Sequence, residues 1–241
     1  MQDTAELRET TDDDGSNTGA VGSALASGFR GRFCNVLLPG RASRVFAKDA
    51  VIYELGDDAR VLFFLKDGVV KTGTITSAGR EIIYDLRKSG DVVGELCALD
   101  IVRRDRAVAL ERTEAIPVPY EQVMETLGRH PELLRDLIGV FGNALSEAYD
   151  QVDGLAATDM MHRLLNVLRN LAQKFGRPLG ELVEIATYLT QEELAQMVVA
   201  RRERVSTALN VLRRRGTVQY SPRGHLLVDL HRLERDSRTS P

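Results

Sequence analysis

Apolar positions change their spacing along the chain, and the change divides it. From about Asn35 to Pro119 they come in short runs, Ala50–Tyr53, Val61–Leu65, Val69–Ile75, Glu81–Leu86 and Ala107–Leu110, with Gly56, Gly68, Gly79, Gly90 and Gly94 punctuating them. Short β-rich runs with regular turn signals predict the strands of a small jelly-roll barrel. Ser77-Ala78-Gly79-Arg80-Glu81 reads as a hairpin turn. Past this region the period becomes helical. A short helix is expected over Tyr120–Leu127, and Pro131 opens a longer one in which Leu134, Ile138, Phe141, Leu145, Ala148, Val152 and Leu155 recur at alternating spacings of 4 and 3. That is the seam of a coiled coil. Leu133, Leu137, Val140 and Ala144 form a second stripe suited to packing on the barrel, so one face is expected to serve the barrel and the other a second copy of the chain.

Gly154 interrupts this run, and Thr158 or Asp159 can cap a further helix, Met160–Phe175, which makes residues 154–159 a hinge. Thr190 and Glu193 then form a capping-box pair ahead of a helix whose apolar face is Leu194, Met197 and Val198. A second helix follows at once. Its apolar set, Val205, Ala208, Leu209 and Leu212, turns Glu203, Thr207, Asn210 and Arg214 outward, with Arg202 and Ser206 flanking them. Two helices across a tight turn, the second loaded with arginine, are the pattern of a DNA reader. An α-helix fits the major groove, where arginine grips guanine and glutamate accepts from cytosine. A solvated basic helix is the plainer alternative. Thr217–Tyr220 and His225–Val228 flank Ser221-Pro222-Arg223-Gly224 as a two-stranded wing whose Arg223 would meet a phosphate.

Composition sharpens the division. The whole chain of 241 residues carries a net charge of −3, but residues 156–241 hold 14 Lys and Arg against 9 Asp and Glu, whereas residues 1–155 hold 18 against 26. The basic part coincides with the helix pair, as contact with phosphates requires. The acidic, polar residues 1–27 suit a disordered arm. They carry neither the basic start nor the apolar stretch of a secretion signal, and no run approaches the roughly 18 apolar residues of a membrane span, so a cytoplasmic protein without membrane contact is expected. Cys34 and Cys97 are the only cysteines, in no metal-binding spacing, and both are expected to be reduced core thiols. No nucleophile with a nearby base, metal site or carboxylate pair is evident, so neither an enzyme nor a cofactor is expected.

In this order, barrel, dimer helix, hinge and winged helix-turn-helix, the chain resembles the family of the cyclic-AMP receptor protein and the fumarate-nitrate reduction regulator (CRP/FNR). The resemblance rests on residues 46–96, including Gly94-Glu95-Leu96, and on residues 201–216, over a span of roughly 35–233. It implies an α+β protein: an arm at 1–27, an effector-sensing double-stranded β-helix (jelly-roll) barrel of cyclic-nucleotide-binding type at 28–130, a dimerisation helix at 131–155, and a winged helix-turn-helix at 156–241. It also implies a homodimer on a palindromic double-stranded DNA operator, with RNA polymerase as a further partner of an activator. Thr190, Arg201, Arg202, Glu203, Ser206, Thr207 and Arg223 are the DNA contacts it indicates.

The chain departs from the family's pattern in two places. The turn carries Val199 and Arg201 where the family usually has Gly and a Ser or Thr cap, and Thr207 stands where Arg is frequent. The effector pocket implied by the resemblance comprises Gly94, Glu95, Leu96, Arg106, Ala107, Ala148 and Tyr149, with Glu95 at the ribose position and Arg106 at the phosphate position. Ala107 replaces the phosphate-binding hydroxyl, a loss of about 1–3 kcal/mol, and Ala148 and Tyr149 replace the adenine-reading hydroxyls. A degenerate sensor not switched by cyclic AMP, open to some other small anion, is therefore expected. The alternative is a cyclic-nucleotide-binding signalling subunit acting through protein contacts.

Overall fold

Alternation of side chains along β3 (Val61–Asp67) organises the N-terminal half. Phe63 and Leu65 point one way and Leu62 and Phe64 the other, and all four are buried, so this strand has core on both faces. The computed structural model describes residues 35–98, 102–135, 137–139, 141–142, 145, 148–149 and 159–239. The arm, Cys34, the side chain of Cys97, Val140, Ala144, Val152, Leu155 and the hinge residues 154–158 lie outside the described residues.

Two four-stranded antiparallel sheets make the barrel. One has the order β1 (Arg44–Phe46), β8 (Thr113–Pro119), β3, β6 (Val92–Val93). The other has the order β2 (Val51–Tyr53), β7 (Arg106–Ala109), β4 (Val69–Ile75), β5 (Glu81–Lys88). Tyr53, Phe63, Leu65, Val70, Val93, Ala107 and Ala115 pack together between them. The outer face of the first sheet, through Leu62, Phe64, Ile116 and Val118, takes Val123 and Leu127 of α1 (Tyr120–Arg129) and Leu133 beyond it.

The outer face of the second sheet is buried by the C-terminal half, and a β-bulge decides how. Between Thr72 and Gly73 of β4 the register slips, leaving Tyr84 of β5 without a partner. That extra residue puts Ile83 and Leu86, three apart, into the same outer cluster, where strict alternation would have opposed them. With Val69 and Leu110 they join Leu164, Leu165, Leu168, Leu171 and Phe175 of α2 (Met160–Phe175) and the core of the helix pair. The C-terminal half is α2, the hairpin β9 (Gly176–Leu179) and β10 (Leu182–Ile185), α3 (Gln191–Val198), α4 (Arg202–Arg215), the hairpin β11 (Val218–Tyr220) and β12 (Leu226–Val228), and α5 (Leu230–Thr239). Its sheet runs β11-β12-β10-β9. The fold is α+β, a barrel of cyclic-nucleotide-binding type with a winged helix-turn-helix. β1, β6, β8, the β9–β10 hairpin and α5 were not anticipated from the sequence. In β8, Pro117 and Pro119 argue against a strand, but β1 reaches only to Ala115, so both prolines sit where that edge of β8 is free.

Candidate nucleic-acid interface and barrel interior

The helix pair forms because each end is locally specified. Thr190 Oγ1 accepts the Glu193 N–H at 3.1 Å, and the Glu193 carboxylate accepts both the Thr190 N–H at 2.7 Å and its hydroxyl at 2.8 Å. The Thr190 hydroxyl is thus committed to the cap. Helix α3 ends with the Ala200 N–H donating to the Ala195 carbonyl at 2.9 Å while Val199 adopts a left-handed conformation, φ 54°. Helix α4 has Arg201 as its N-cap residue, with no side-chain capping hydrogen bond, so its first amide groups carry their partial positive charge to solvent. It ends at left-handed Gly216.

Val205, Ala208, Leu209 and Leu212 are buried, and Arg201, Arg202, Glu203, Arg204, Thr207, Asn210 and Arg213–Arg215 are exposed, with Ser206 half-buried. The N-terminal turn of α4 therefore presents Arg201, Arg202, Glu203 and Arg204 together. The other basic groups are partly engaged. Arg213 stacks over the Tyr220 ring at 5.5 Å, and Arg215 pairs with Asp236 at 3.2 Å. Thr207 donates its hydroxyl hydrogen to the Glu203 carbonyl at 2.9 Å, leaving its oxygen lone pairs and methyl for a partner. In the wing, the Ser221 N–H donates to His225 O at 2.8 Å and the Gly224 N–H to Ser221 O at 2.9 Å, which sets Arg223 at an exposed hairpin tip. His225 Nδ1 lies 3.0 Å from Glu184 of β10, tying the wing to the hairpin that sequence reasoning missed.

The barrel interior is charged. Val70, an interior residue, lies opposite Arg87, whose guanidinium reaches Glu95 at 2.8 Å. Burial opposes the Arg87 charge, but Glu95, Asp85 and Asp91 more than offset it and hold the proton above the ordinary arginine range. Arg103 donates to the carbonyls of Gly94, at 3.0 Å, and Val61, and stacks over the Tyr53 ring at 4.1 Å. Glycine suits position 94, because its φ of +89° is one that L side chains rarely adopt, and a Cβ there would lie 3.1 Å from the Val61 carbonyl and displace that guanidinium. The Tyr53 hydroxyl donates to Asp105 Oδ2 at 3.0 Å, while Asp105, 6% exposed, leaves Oδ1 without a hydrogen-bond partner among the described residues. Burial, and after it the carboxylate of Glu95, raises the Asp105 pKa, and burial with Asp105 itself raises that of Tyr53.

The expected pocket residues separate. Gly94 and Glu95 belong to the interior network and Ala107 to the interior apolar cluster. Arg106, next to Ala107 on β7, points to the outer face, where it pairs with Glu54 at 2.7 Å and Glu81 at 3.1 Å beside Lys71. Leu96, Ala148 and Tyr149 are exposed, Tyr149 to 62%. Sequence reasoning did not single out Arg87, Arg103, Asp105 or Tyr53. Among the described residues no group of three or more His, Cys, Asp or Glu could hold a metal ion. No described helix is long and apolar enough to cross a membrane.

On the helical residues between 131 and 149 the two stripes part. Leu133 is 1% exposed against the barrel with Leu137 packed beside it, whereas Leu134, Ile138, Phe141 and Leu145 are 43%, 64%, 42% and 53% exposed.

Residues 43–130 match the family model of the cyclic nucleotide-binding domain, and residues 162–236 that of the Crp-like helix-turn-helix domain. The chain is 31% identical over 192 residues to a global nitrogen regulator of Synechocystis, covering 78% of this chain and 84% of that one. It is 29% identical over 194 residues to a CRP-like cAMP-activated global transcriptional regulator of Mycobacterium tuberculosis, covering 80% of this chain and 87% of the relative. Among solved structures, FixK2 from Bradyrhizobium japonicum superposes with a TM-score of 0.71 at 20% identity, over 81% of this chain and 96% of that one.

Proposed function

The chain belongs to the CRP/FNR family of DNA-binding transcription regulators, and from that premise we propose that it is a homodimer that reads a palindromic operator through α4 and is not switched by cyclic AMP. The observation that carries the reading is the exposed cluster Arg201, Arg202, Glu203 and Arg204 at the uncapped start of a helix whose opposite face is fully buried. Arg202 is assigned to a guanine edge and Glu203 to a cytosine amino group, with Ser206, Thr207 and Arg201 beside them. The α4 amide groups and Arg223 of the wing are assigned to phosphates. Thr190 contributes through the cap: its carbonyl accepts the Leu194 N–H at 3.1 Å and its hydroxyl is held by Glu193, so its methyl is what it can offer DNA. The exposed row Leu134, Ile138, Phe141 and Leu145 is the dimer seam, and a two-fold dimer matches two half-sites about 34 Å apart. The protein acts in the cytoplasm as a regulator without enzymatic activity, and contacts RNA polymerase where it activates.

Three observations support a barrel indifferent to cyclic AMP. Arg87 and Glu95 are already paired with each other, Arg106 is turned to the outer face, and Ala107 has no hydroxyl. A phosphate entering the barrel meets a compensated ion pair and the buried carboxyl of Asp105. Titration calorimetry with cyclic AMP and cyclic GMP tests this, alongside a salt series of DNA affinity. Affinity falling steeply with salt and flat nucleotide titrations are expected. A micromolar, one-per-subunit cyclic-AMP isotherm that also tightens DNA binding would contradict the sensor assignment, and salt-independent or absent DNA binding the reader assignment.

A further inference from the structure

The hairpin joining β4 to β5 reaches out of the barrel and touches the turn of the helix pair. Its tip is closed by three hydrogen bonds. The Thr76 N–H donates to Arg80 O at 2.9 Å, the Gly79 N–H to Thr76 O at 2.8 Å, and the Arg80 N–H to Thr76 Oγ1 at 3.1 Å, with Gly79 at φ +74°. From this tip Arg80 Nη2 donates to the Ala200 carbonyl at 2.7 Å, a contact spanning 120 residues of sequence. Ala200 lies between left-handed Val199 and Arg201, the N-cap of α4. On the other side Arg163 of α2 donates to the Val198 carbonyl at 3.1 Å. Two guanidinium groups thus grip successive parts of one turn, one of them from the barrel.

The turn has reason to need gripping. A β-branched residue in the left-handed region crowds its own carbonyl, which lowers the population of that conformation roughly 5–30-fold relative to a relaxed backbone. Val199, at φ 54°, ends α3 two residues before the N-cap of α4, so relaxation of Val199 would re-aim α4. The approach of the hairpin is itself fixed. Asp85 on the same β5 strand holds Lys174 Nζ through both carboxylate oxygens at 2.8 and 2.9 Å, and Lys88 donates to the Lys174 carbonyl.

We propose that Arg80, a residue of the sensor barrel, is a positioning residue of the DNA reader, holding the Ala200 carbonyl so that the strained Val199 turn stays in place and α4 keeps its aim. This rests on the reading of α4 as the recognition helix. The DNA-reading surface is then incomplete without the barrel hairpin, although Arg80 itself makes no contact with DNA.

The test uses the full chain in four versions: wild type, Arg80→Ala, Val199→Gly and the double variant. Hydrogen exchange of the peptide covering 195–204 is followed without DNA, and affinity is measured by fluorescence anisotropy on a duplex selected by the wild type from random-sequence DNA. Arg80→Ala is expected to speed exchange in the turn and to weaken binding roughly threefold to tenfold with an unchanged salt slope, since no phosphate contact is lost. Glycine at 199 removes the strain, so in that background the loss is expected to shrink below about twofold. Unchanged turn exchange in Arg80→Ala would overturn the clamp. Equal losses in both backgrounds, or a shallower salt slope, would instead make Arg80 an ordinary charge contact. Faster turn exchange in a protein whose wild type selects no DNA would overturn the reader assignment and with it the positioning role, so the two failures are distinguishable.

Discussion

Replacing Leu86 by alanine separates the two forces that hold the reading head on the barrel. Leu86 is 1% exposed and lies in the cluster shared by the outer face of the second sheet, α2 and the helix pair. Truncating such a leucine costs about 2–5 kcal/mol, from lost transfer energy and the cavity left behind. The neighbouring ion pair between Asp85 and Lys174 has side chains 36% and 29% exposed. Water competes for both partners, and removing the lysine leaves Asp85 with Arg87, so Lys174→Met is expected to cost only about 0.2–1 kcal/mol. For a chain of this size about 1 kcal/mol shifts the melting temperature by roughly 2–4 °C. Leu86→Ala should therefore lower it by about 6–12 °C at a mid-range cost near 3 kcal/mol, and Lys174→Met by no more than about 4 °C. Differential scanning calorimetry reads both. The leucine variant should also split the transition, because the shared core is what makes barrel and reader melt together. A larger shift for Lys174→Met than for Leu86→Ala would refute the reasoning.

Thr190→Ala should destabilise the protein by about 1 kcal/mol, as expected for loss of a capping hydroxyl, and Thr190→Ser should not, with DNA salt slopes equal in all three; a shallower slope for Thr190→Ala would make the hydroxyl a phosphate contact instead. Asp105 titrates higher in the folded barrel than in the unfolded chain, so its contribution to stability is complete below about pH 3.9 and is lost as pH rises through the raised native value. Asp105→Asn should flatten that decline in denaturant titrations across pH, and an unaltered decline would count against the assignment. Phe141→Asp should release monomers in sedimentation, because it buries a charge in the proposed seam; an unchanged oligomeric state would move the dimer contact elsewhere.

Legibility differed between helix and strand. The buried face of α4 could be read directly, since Val205, Ala208, Leu209 and Leu212 follow a period that one helix imposes on itself. The division of the 131–149 helix into two stripes could be read for the same reason. Strand β7 was found, but which way Arg106 points depends on its pairing with Gly73, and a shift of one residue sends every side chain to the opposite face. The bulge at Tyr84 likewise hid that Ile83 and Leu86 share a face, and so hid the surface that seats the reading head. The Arg87–Glu95 pair joins the end of one strand to a turn after another, and nothing local announces it. The β9–β10 hairpin escaped notice because Gly-Arg-Pro-Leu-Gly reads as a loop, although β10 carries the wing.

The central claim is that the exposed start of α4 reads base sequence, and site selection from random DNA with the wild type and Arg202→Ala tests it most directly. The wild type should enrich a two-fold symmetric site with half-sites about one helical turn apart. Arg202→Ala should lose about 1–3 kcal/mol of discrimination at a single base pair in each half-site while keeping the rest of the profile. An identical profile for the two proteins would contradict the account.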